Sequence, residues 1–439
     1  MPPLRELGAG LVRVYFYWSQ VEPEPGRFTF DVVDAFLDQL DGSEEVWVTV
    51  CSSSPWATQQ PATFLPPSPA NDPGTYERFV RALVEHCSGR VDYWQCDNEP
   101  SNVGLTWAGT AEEYVGQLKV FHRAVRKADP NAAVVLGGAT YSMPGATKDA
   151  PERGFFDVLL CEGAGSFDLF DLHLYQAAER IPADVEAARA MTRSHGYEVP
   201  IVVGEYNAPW PNLFPEAEAA MQEALAGAMA APEEGESPER LAMRRLYERM
   251  ADLPPQLQMF MAGCPAELEA KRDRINRREI VMRNVLALAC GVRRTVCWNL
   301  APDIPNYTDS LSVMDLLFGK LALMSYEGTE LRPRPAAEAL AMVADQLSDV
   351  ESVTRVEVPG RPNTFLFDVR RAGRGPLLVA WEQRDAFSGE DDPPVPLDWV
   401  WSSDRARVVD ALGDERYFRA ADGHIVLPLS VTPMLVSDA

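Results

Sequence analysis

VDYWQCDNEP (91–100) and VPIVVGEYNAP (199–209) are the two stretches from which the rest of this chain can be read. Each is a short apolar run, rich in β-branched and aromatic residues, that breaks into polar residues as it delivers one glutamate, Glu99 and Glu205. Runs of about 5–7 such residues closed by Pro or Gly suit strands buried on both faces of a parallel sheet. Two carboxylates at the C-terminal ends of different strands are the equipment for breaking a glycosidic bond. One, protonated, hands its proton to the leaving oxygen. The other, ionised, attacks or shields the developing oxocarbenium carbon.

Outward from these two runs, further strand-like segments fall at 11–18, 46–51, 91–97, 133–138, 168–174, 199–204 and 294–299. Amphipathic stretches such as 31–41, 74–88 and 111–128 lie between them. This alternation predicts an α/β fold, a (β/α)8 TIM barrel whose working face is the C-terminal ends of its strands. Residues 1–348 form the barrel domain, ending in a helix at 335–347. The short alternating segments that follow predict a small β-sandwich over 349–439. A helix-rich insertion occupies about 207–280, broken by PEEGESPE (232–239), which reads as an exposed loop. Its place after a barrel strand puts it at the mouth of the site.

The ordered blocks RVYFYWSQVEPEPGRFTFD (13–31), SSSPWA (52–57), Asn98-Glu99-Pro100, DLHLY (171–175), Glu205 and VCWNL (296–300) together resemble the retaining glycoside hydrolases of clan A, family 39 most closely. The resemblance implies Glu99 as acid/base and Glu205 as nucleophile. It also implies Arg13 supporting the nucleophile, Tyr175 donating to it, Asn98 bonding the sugar 2-hydroxyl and Trp298 facing the sugar. The residues themselves add that Arg13, a charge inside an apolar strand, is rarely buried unpaired. His173 shares the inward parity of Tyr175 at a strand end. Trp56, Trp18 and Trp107 lie at or beyond strand ends, as platforms or as packing. Asp97 departs from the family pattern, and strand alternation places it inward beside Glu99.

The count of strands also departs from the clan, whose acid/base follows strand four and whose nucleophile follows strand seven. Glu99 follows the third strand here and Glu205 the sixth. The expectation is a barrel lacking its first strand, which would lie upstream of Met1. Residues 3–9 would then end the preceding helix, and 11–18 and 294–299 would face each other as unpaired edges.

A formal net charge of −25 argues against a nucleic-acid partner held by a basic face. No run of about 18 apolar residues predicts a membrane span, and no basic-plus-apolar leader opens the sequence, so the expected location is cytoplasmic. The 7 cysteines are scattered through apolar runs as reduced core thiols. No metal-ligand spacing occurs, and neither metal nor cofactor is expected. The expected function is a retaining, exo-acting β-glycosidase working on an oligosaccharide or glycoside. An endo-glycanase or an inactive carbohydrate-binding barrel are the alternatives.

Overall fold

In the computed structural model, which describes residues 1–301 and 312–439, the apolar runs become seven parallel strands. They are β1 (Leu11–Tyr17), β2 (Glu45–Cys51), β3 (Tyr93–Cys96), β4 (Ala133–Val135), β5 (Phe170–Leu174), β6 (Ile201–Tyr206) and β7 (Thr295–Cys297). Ladders join β1 through β4 and β5 through β7 in chain order. Between β4 and β5 the wall is closed by Leu136 N–H to Leu169 O at 2.9 Å and Ala139 N–H to Asp171 O at 3.0 Å. Helices cover the outside, and two of them are started by side-chain caps. Asp72 accepts from Thr75 N–H ahead of Pro73–Cys87, and Thr110 with Glu113 forms a capping box ahead of Ala111–Ala128.

Inside the wall the side chains stack in two layers. The lower layer is apolar: Leu11, Trp47, Tyr93, Val135, Leu169, Val202 and Val296 come from successive strands and fill the bottom. One inward position further along each strand lie Arg13, Thr49, Gln95 and Asp171, so the upper layer is polar and faces the C-terminal ends.

Among the described residues no backbone hydrogen bond joins β1 to β7. The seam lies where the strand count puts it. All three residues of β7 are only half-buried, whereas β6 is buried throughout. A cavity of about 860 Å³ runs along the seam, lined in part by Leu11, Arg13, Thr295, Trp298, Leu340 and Val343. Side chains tie the ring across this gap. At the bottom, Arg294 beside β7 reaches Glu45 of β2, Nη2 to Oε1 at 2.8 Å, and its Nε donates to the Tyr93 hydroxyl at 3.1 Å.

The insertion after β6 holds the helices Pro215–Ala230, Pro238–Glu248 and Ala266–Ala289. They bury a separate apolar cluster around Leu241, Leu246, Leu257 and Ile275. A hairpin absent from the sequence reading, β8 (Met324–Glu327) with β9 (Glu330–Pro333), precedes the helix Pro335–Gln346. Beyond it comes an antiparallel sheet of β10 (Val350–Arg355), β11 (Thr364–Arg371), β12 (Leu377–Glu382), β14 (Arg405–Asp410), β15 (Glu415–Arg419) and β17 (Met434–Asp438). A two-stranded sheet, β13 (Val395–Val400) with β16 (His424–Leu429), accompanies it. Alternation divides the larger sheet's faces. Phe365, Phe367 and Trp381 join the barrel's outer core, while Leu366, Leu378 and Ala380 meet Leu397, Ile425 and Leu427 of the smaller sheet.

Amides of β1 that point toward β7 lack the ladder partners that β2 and β3 have. In hydrogen–deuterium exchange they are expected to exchange ahead of the amides of β2. Equal protection along both edges of β1 would show a paired edge instead.

Candidate active site

Arg13 enters the upper layer from β1 with a side chain only 1% exposed. A buried guanidinium must place every N–H on an acceptor, and this one does. Nε donates to Thr49 Oγ1 at 3.0 Å. Nη1 donates to Gly204 O at 3.0 Å and Glu205 Oε1 at 2.8 Å. Nη2 donates to Gln95 Oε1 and Asn98 Oδ1, both at 2.7 Å. Burial works against the Arg13 charge, but Tyr15, Glu205 and Asp171 outweigh it and its pKa is raised.

Glu205 reaches the lumen because β6 carries an extra residue. Asp171 pairs with Val202 but His173 pairs with Glu205, and the register against β7 shifts at the same place. The bulge lets Val202 and Glu205, three positions apart, both face inward. The Asp171 carboxylate packs on Gly204 so closely that a Cβ there would lie 2.4 Å from Oδ2, so the bulge needs glycine. Glu205 accepts at Oε1 from Arg13 and from the Tyr15 hydroxyl at 2.7 Å, and at Oε2 from the Tyr175 hydroxyl at 2.9 Å. Burial pushes its pKa up, but His173, Arg13 and the two tyrosines prevail, and Glu205 is held ionised below its ordinary range.

Glu99 stands just past β3 with left-handed backbone, φ 41°. Asn102 N–H (2.9 Å) and Thr106 Oγ1 (2.7 Å) both donate to its carbonyl and hold the turn. Non-glycine residues in such conformations cost about 1–3 kcal/mol and collect at functional sites. Its Oε1 lies 2.7 Å from His173 Nδ1, and the same nitrogen is 3.5 Å from Glu205 Oε2. One oxygen of Glu99 and one of Glu205 come within 4.8 Å of each other. Burial opposes a charged His173, but Glu205 and Asp171 outweigh it and its pKa rises to about 10.

No family model matches the sequence, and neither does any curated protein. Solved structures do match. A family 39 glycoside hydrolase from the gut symbiont Bacteroides cellulosilyticus superposes with a TM-score of 0.64 at 16% identity, over 100% of this chain and 77% of that one. A monomeric β-xylosidase from Caulobacter crescentus gives 0.60 at 13% identity, covering 100% and 91%. A family 51 α-L-arabinofuranosidase from Bifidobacterium longum gives 0.60 at 11%, covering 99% and 88%. The fold is that of these family 39 and family 51 glycoside hydrolases.

Within this fold the structure gathers Arg13, Asn98, Glu99, His173, Tyr175 and Glu205 into one polar cluster. Trp298 stands beside it, its ring 5.8 Å from that of Tyr15. Two expected residues lie elsewhere. Asp97 does not face Glu99: it is wholly buried, and its carboxylate accepts from Ser52 N–H (2.7 Å) and from Gln117 (3.1 Å) on the outer helix Ala111–Ala128. The strand ends at Cys96, and a positive φ of 55° at Asp97 breaks the alternation on which the inward placement rested. Burial raises the Asp97 pKa to about 6 against its Ser52 and Gln117 hydrogen bonds. Trp56 donates through Nε1 to Glu22 O at 3.0 Å and packs edge-on against Trp18, in a structural corner outside the cluster. Trp18 and Trp107 are core residues with no exposure.

Four participants had no role in the sequence reading: Tyr15, Gln95, Asp171 and Trp210. Gln95 Oε1 accepts from Arg13, Thr49 (2.7 Å) and Trp47 (3.2 Å), while its amide donates to Leu136 O (3.0 Å) and Asp171 Oδ2 (2.8 Å). Trp210, at the start of the insertion, stacks on Tyr175 at 4.8 Å. The signal for Gln95 and Asp171 was the one that exposed Arg13, a polar residue inside an apolar strand.

Glu99, His173 and Glu205 are close enough to hold a cation. A ligating imidazole must be neutral with a free lone pair. Both nitrogens of His173 face carboxylates, which favour protons on the ring over a free lone pair, so the trio does not suit a metal.

With its folded pKa raised to about 10 from an ordinary 6.5, His173 contributes stability that is complete below about pH 6.5 and lost as pH rises through 10. The gap in unfolding free energy between the native protein and His173→Gln should therefore shrink over that window in urea titrations. A constant gap from pH 6 to 10 would contradict a raised His173 pKa.

Proposed function

We propose that this protein is a retaining glycoside hydrolase, with Glu205 as nucleophile and Glu99 as acid/base. The observation that carries the reading is the approach of the two carboxylates to within 4.8 Å from the ends of two different strands. Retaining pairs stand about 5–5.5 Å apart, while inverting pairs need about 6.5–9.5 Å to admit a water. In the first half-reaction Glu205 bonds the anomeric carbon as the glycosidic C–O bond breaks and the proton held by Glu99 passes to the leaving oxygen. In the second, water gives a proton to Glu99 as its oxygen displaces Glu205. The donors on Glu205 keep it charged before attack and stabilise it again as it leaves. With Oδ1 of Asn98 taken by Arg13, its amide Nδ2 is the group to donate to a sugar hydroxyl.

The substrate is a carbohydrate, and the mode we propose is exo action on small β-glycosides. An endo cleft needs a row of aromatic platforms. Among the described residues Trp18 and Trp107 are buried and Trp56 is engaged elsewhere, leaving Trp298 and Trp210 as the tryptophans beside the carboxylates. The solved relatives named as β-xylosidase, glucosidase and α-L-arabinofuranosidase set the screen, aryl glycosides of xylose, glucose and arabinose.

On an activated aryl glycoside, Glu205→Gln should lose turnover entirely. Glu99→Gln should retain glycosylation but lose about 10²–10⁴-fold in the second step. Azide should restore that step and give a glycosyl azide of retained configuration. Equal losses without azide rescue would remove these role assignments, and product of inverted configuration would remove the mechanism.

A further inference from the structure

Behind the cluster, Asp171 has no exposure and no part in the mechanism just given. Its Oδ1 accepts from Gly204 N–H. Its Oδ2 accepts from Gln95 Nε2 at 2.8 Å and lies 3.3 Å from His173 Nε2. Asp171 and His173 are two apart on β5 and therefore share a face. Two glycines make room for the pair. A Cβ at Gly204 would meet the Asp171 carboxylate at 2.4 Å, and one at Gly138 would meet His173 Nε2 at 2.2 Å. The imidazole is thus backed by a carboxylate on one nitrogen and faces Glu99 with the other.

We propose that Asp171 is a positioning residue that acts through His173, fixing the ring's orientation and the strength with which the Glu99–His173 hydrogen bond keeps its proton, and so setting the alkaline limit of activity. This rests on reading Glu99 as the acid/base.

The geometry leads there in steps. Nε2 lies 3.3 Å from a carboxylate oxygen that can only accept, which places it as the donor of that pair. The 2.7 Å approach of Nδ1 to Glu99 Oε1 requires one proton between them. Whether that proton sits on nitrogen or oxygen, the pair holds one and titrates as a unit. It is the proton that passes to the leaving oxygen as the glycosidic bond breaks, and the attacking water returns it as Glu205 is displaced. Asp171 itself gains and loses nothing.

The charged and titratable groups around the ring are Asp171 from β5, Tyr175 just past its end, Glu205 from β6 and Glu99 from beyond β3. Arg13 and Tyr15 from β1 lie behind Glu205. Glu99 and Glu205 are fixed by the chemistry, and Arg13 by Glu205. Asp171 is the carboxylate that can be tuned without touching substrate. The raised pKa of His173, in which Glu205 and Asp171 overcome burial, agrees with this placement.

The test is Asp171→Asn, which keeps the shape and an acceptor for Gly204 N–H but removes the charge. His173 would be followed by ¹H–¹⁵N NMR, and kcat/KM would be measured against pH on an aryl glycoside. Removing an opposite charge at this range moves a titration by about 1–3 units. The His173 titration and the alkaline limb should therefore fall together by about that amount. A purely structural residue would lower activity at every pH and leave the limb in place, and that outcome would overturn the proposal. Should Asp171→Asn fail to fold, the native protein still decides. At pH 7 both ring nitrogens of His173, or Nε2 with the proton shared toward Glu99, must show as protonated, and an unprotonated Nε2 refutes it. If no glycoside is cleaved, the catalytic reading fails by itself, while the His173 titration in the two proteins still reports on Asp171.

Discussion

A full positive charge buried in the middle of the barrel is the constraint around which the upper layer is built. Arg13 cannot sit 1% exposed unless all of its N–H groups are paired. Thr49, Gln95, Asn98, the Gly204 carbonyl and Glu205 supply the acceptors, from β2, β3, the turn after β3 and β6. Gln95 then has its carbonyl oxygen committed to Arg13, so its amide nitrogen must find acceptors on the other side, at Leu136 O and Asp171. The demand of one guanidinium is in this way passed around the interior and fixes side-chain orientations on strands that never touch it.

Proton-bearing groups and carboxylates alternate through the cluster: Arg13, Glu205, His173, Asp171. Each anion lies between cations or donors, and His173 lies between anions. This arrangement keeps a carboxylate ionised in a place where burial alone would protonate it. It also draws on local irregularities: the bulge in β6 that brings Glu205 inward, the glycines at 138 and 204, and the left-handed turn at Glu99. Regular strands could not have aimed these groups at one point.

Those irregularities mark where sequence reasoning succeeds and where it stops. Apolar runs with Pro and Gly punctuation made the seven strands legible, and the two glutamates stood out because each breaks such a run. Arg13 was legible as a charge inside one. Strict alternation misplaced Asp97, because a single positive φ after Cys96 redirects the chain toward Gln117. The same alternation could not reveal that Glu205 needs an inserted residue to face inward. Aromatic residues at strand ends look alike in sequence whether they end as Trp298 does, beside the carboxylates, or as Trp18 does, stacked on Phe79 in the core. In β13 and β15 the exposed outer positions carry polar and apolar residues alike, which blurs a period of two.

Among the described residues the seam between β1 and β7 is bridged by side chains where a backbone ladder would otherwise run. Near the mouth the clasp is the bond from Arg13 on β1 to Glu205 on β6; at the base it is Arg294 to Glu45. The upper clasp is also part of the reactive centre. Any widening of the ring, by heat, pressure or denaturant, stretches the contact that keeps Glu205 charged before the wall itself comes apart. Activity should therefore fade under conditions in which the strands are still assembled, and stiffening the seam and protecting the chemistry become one engineering problem.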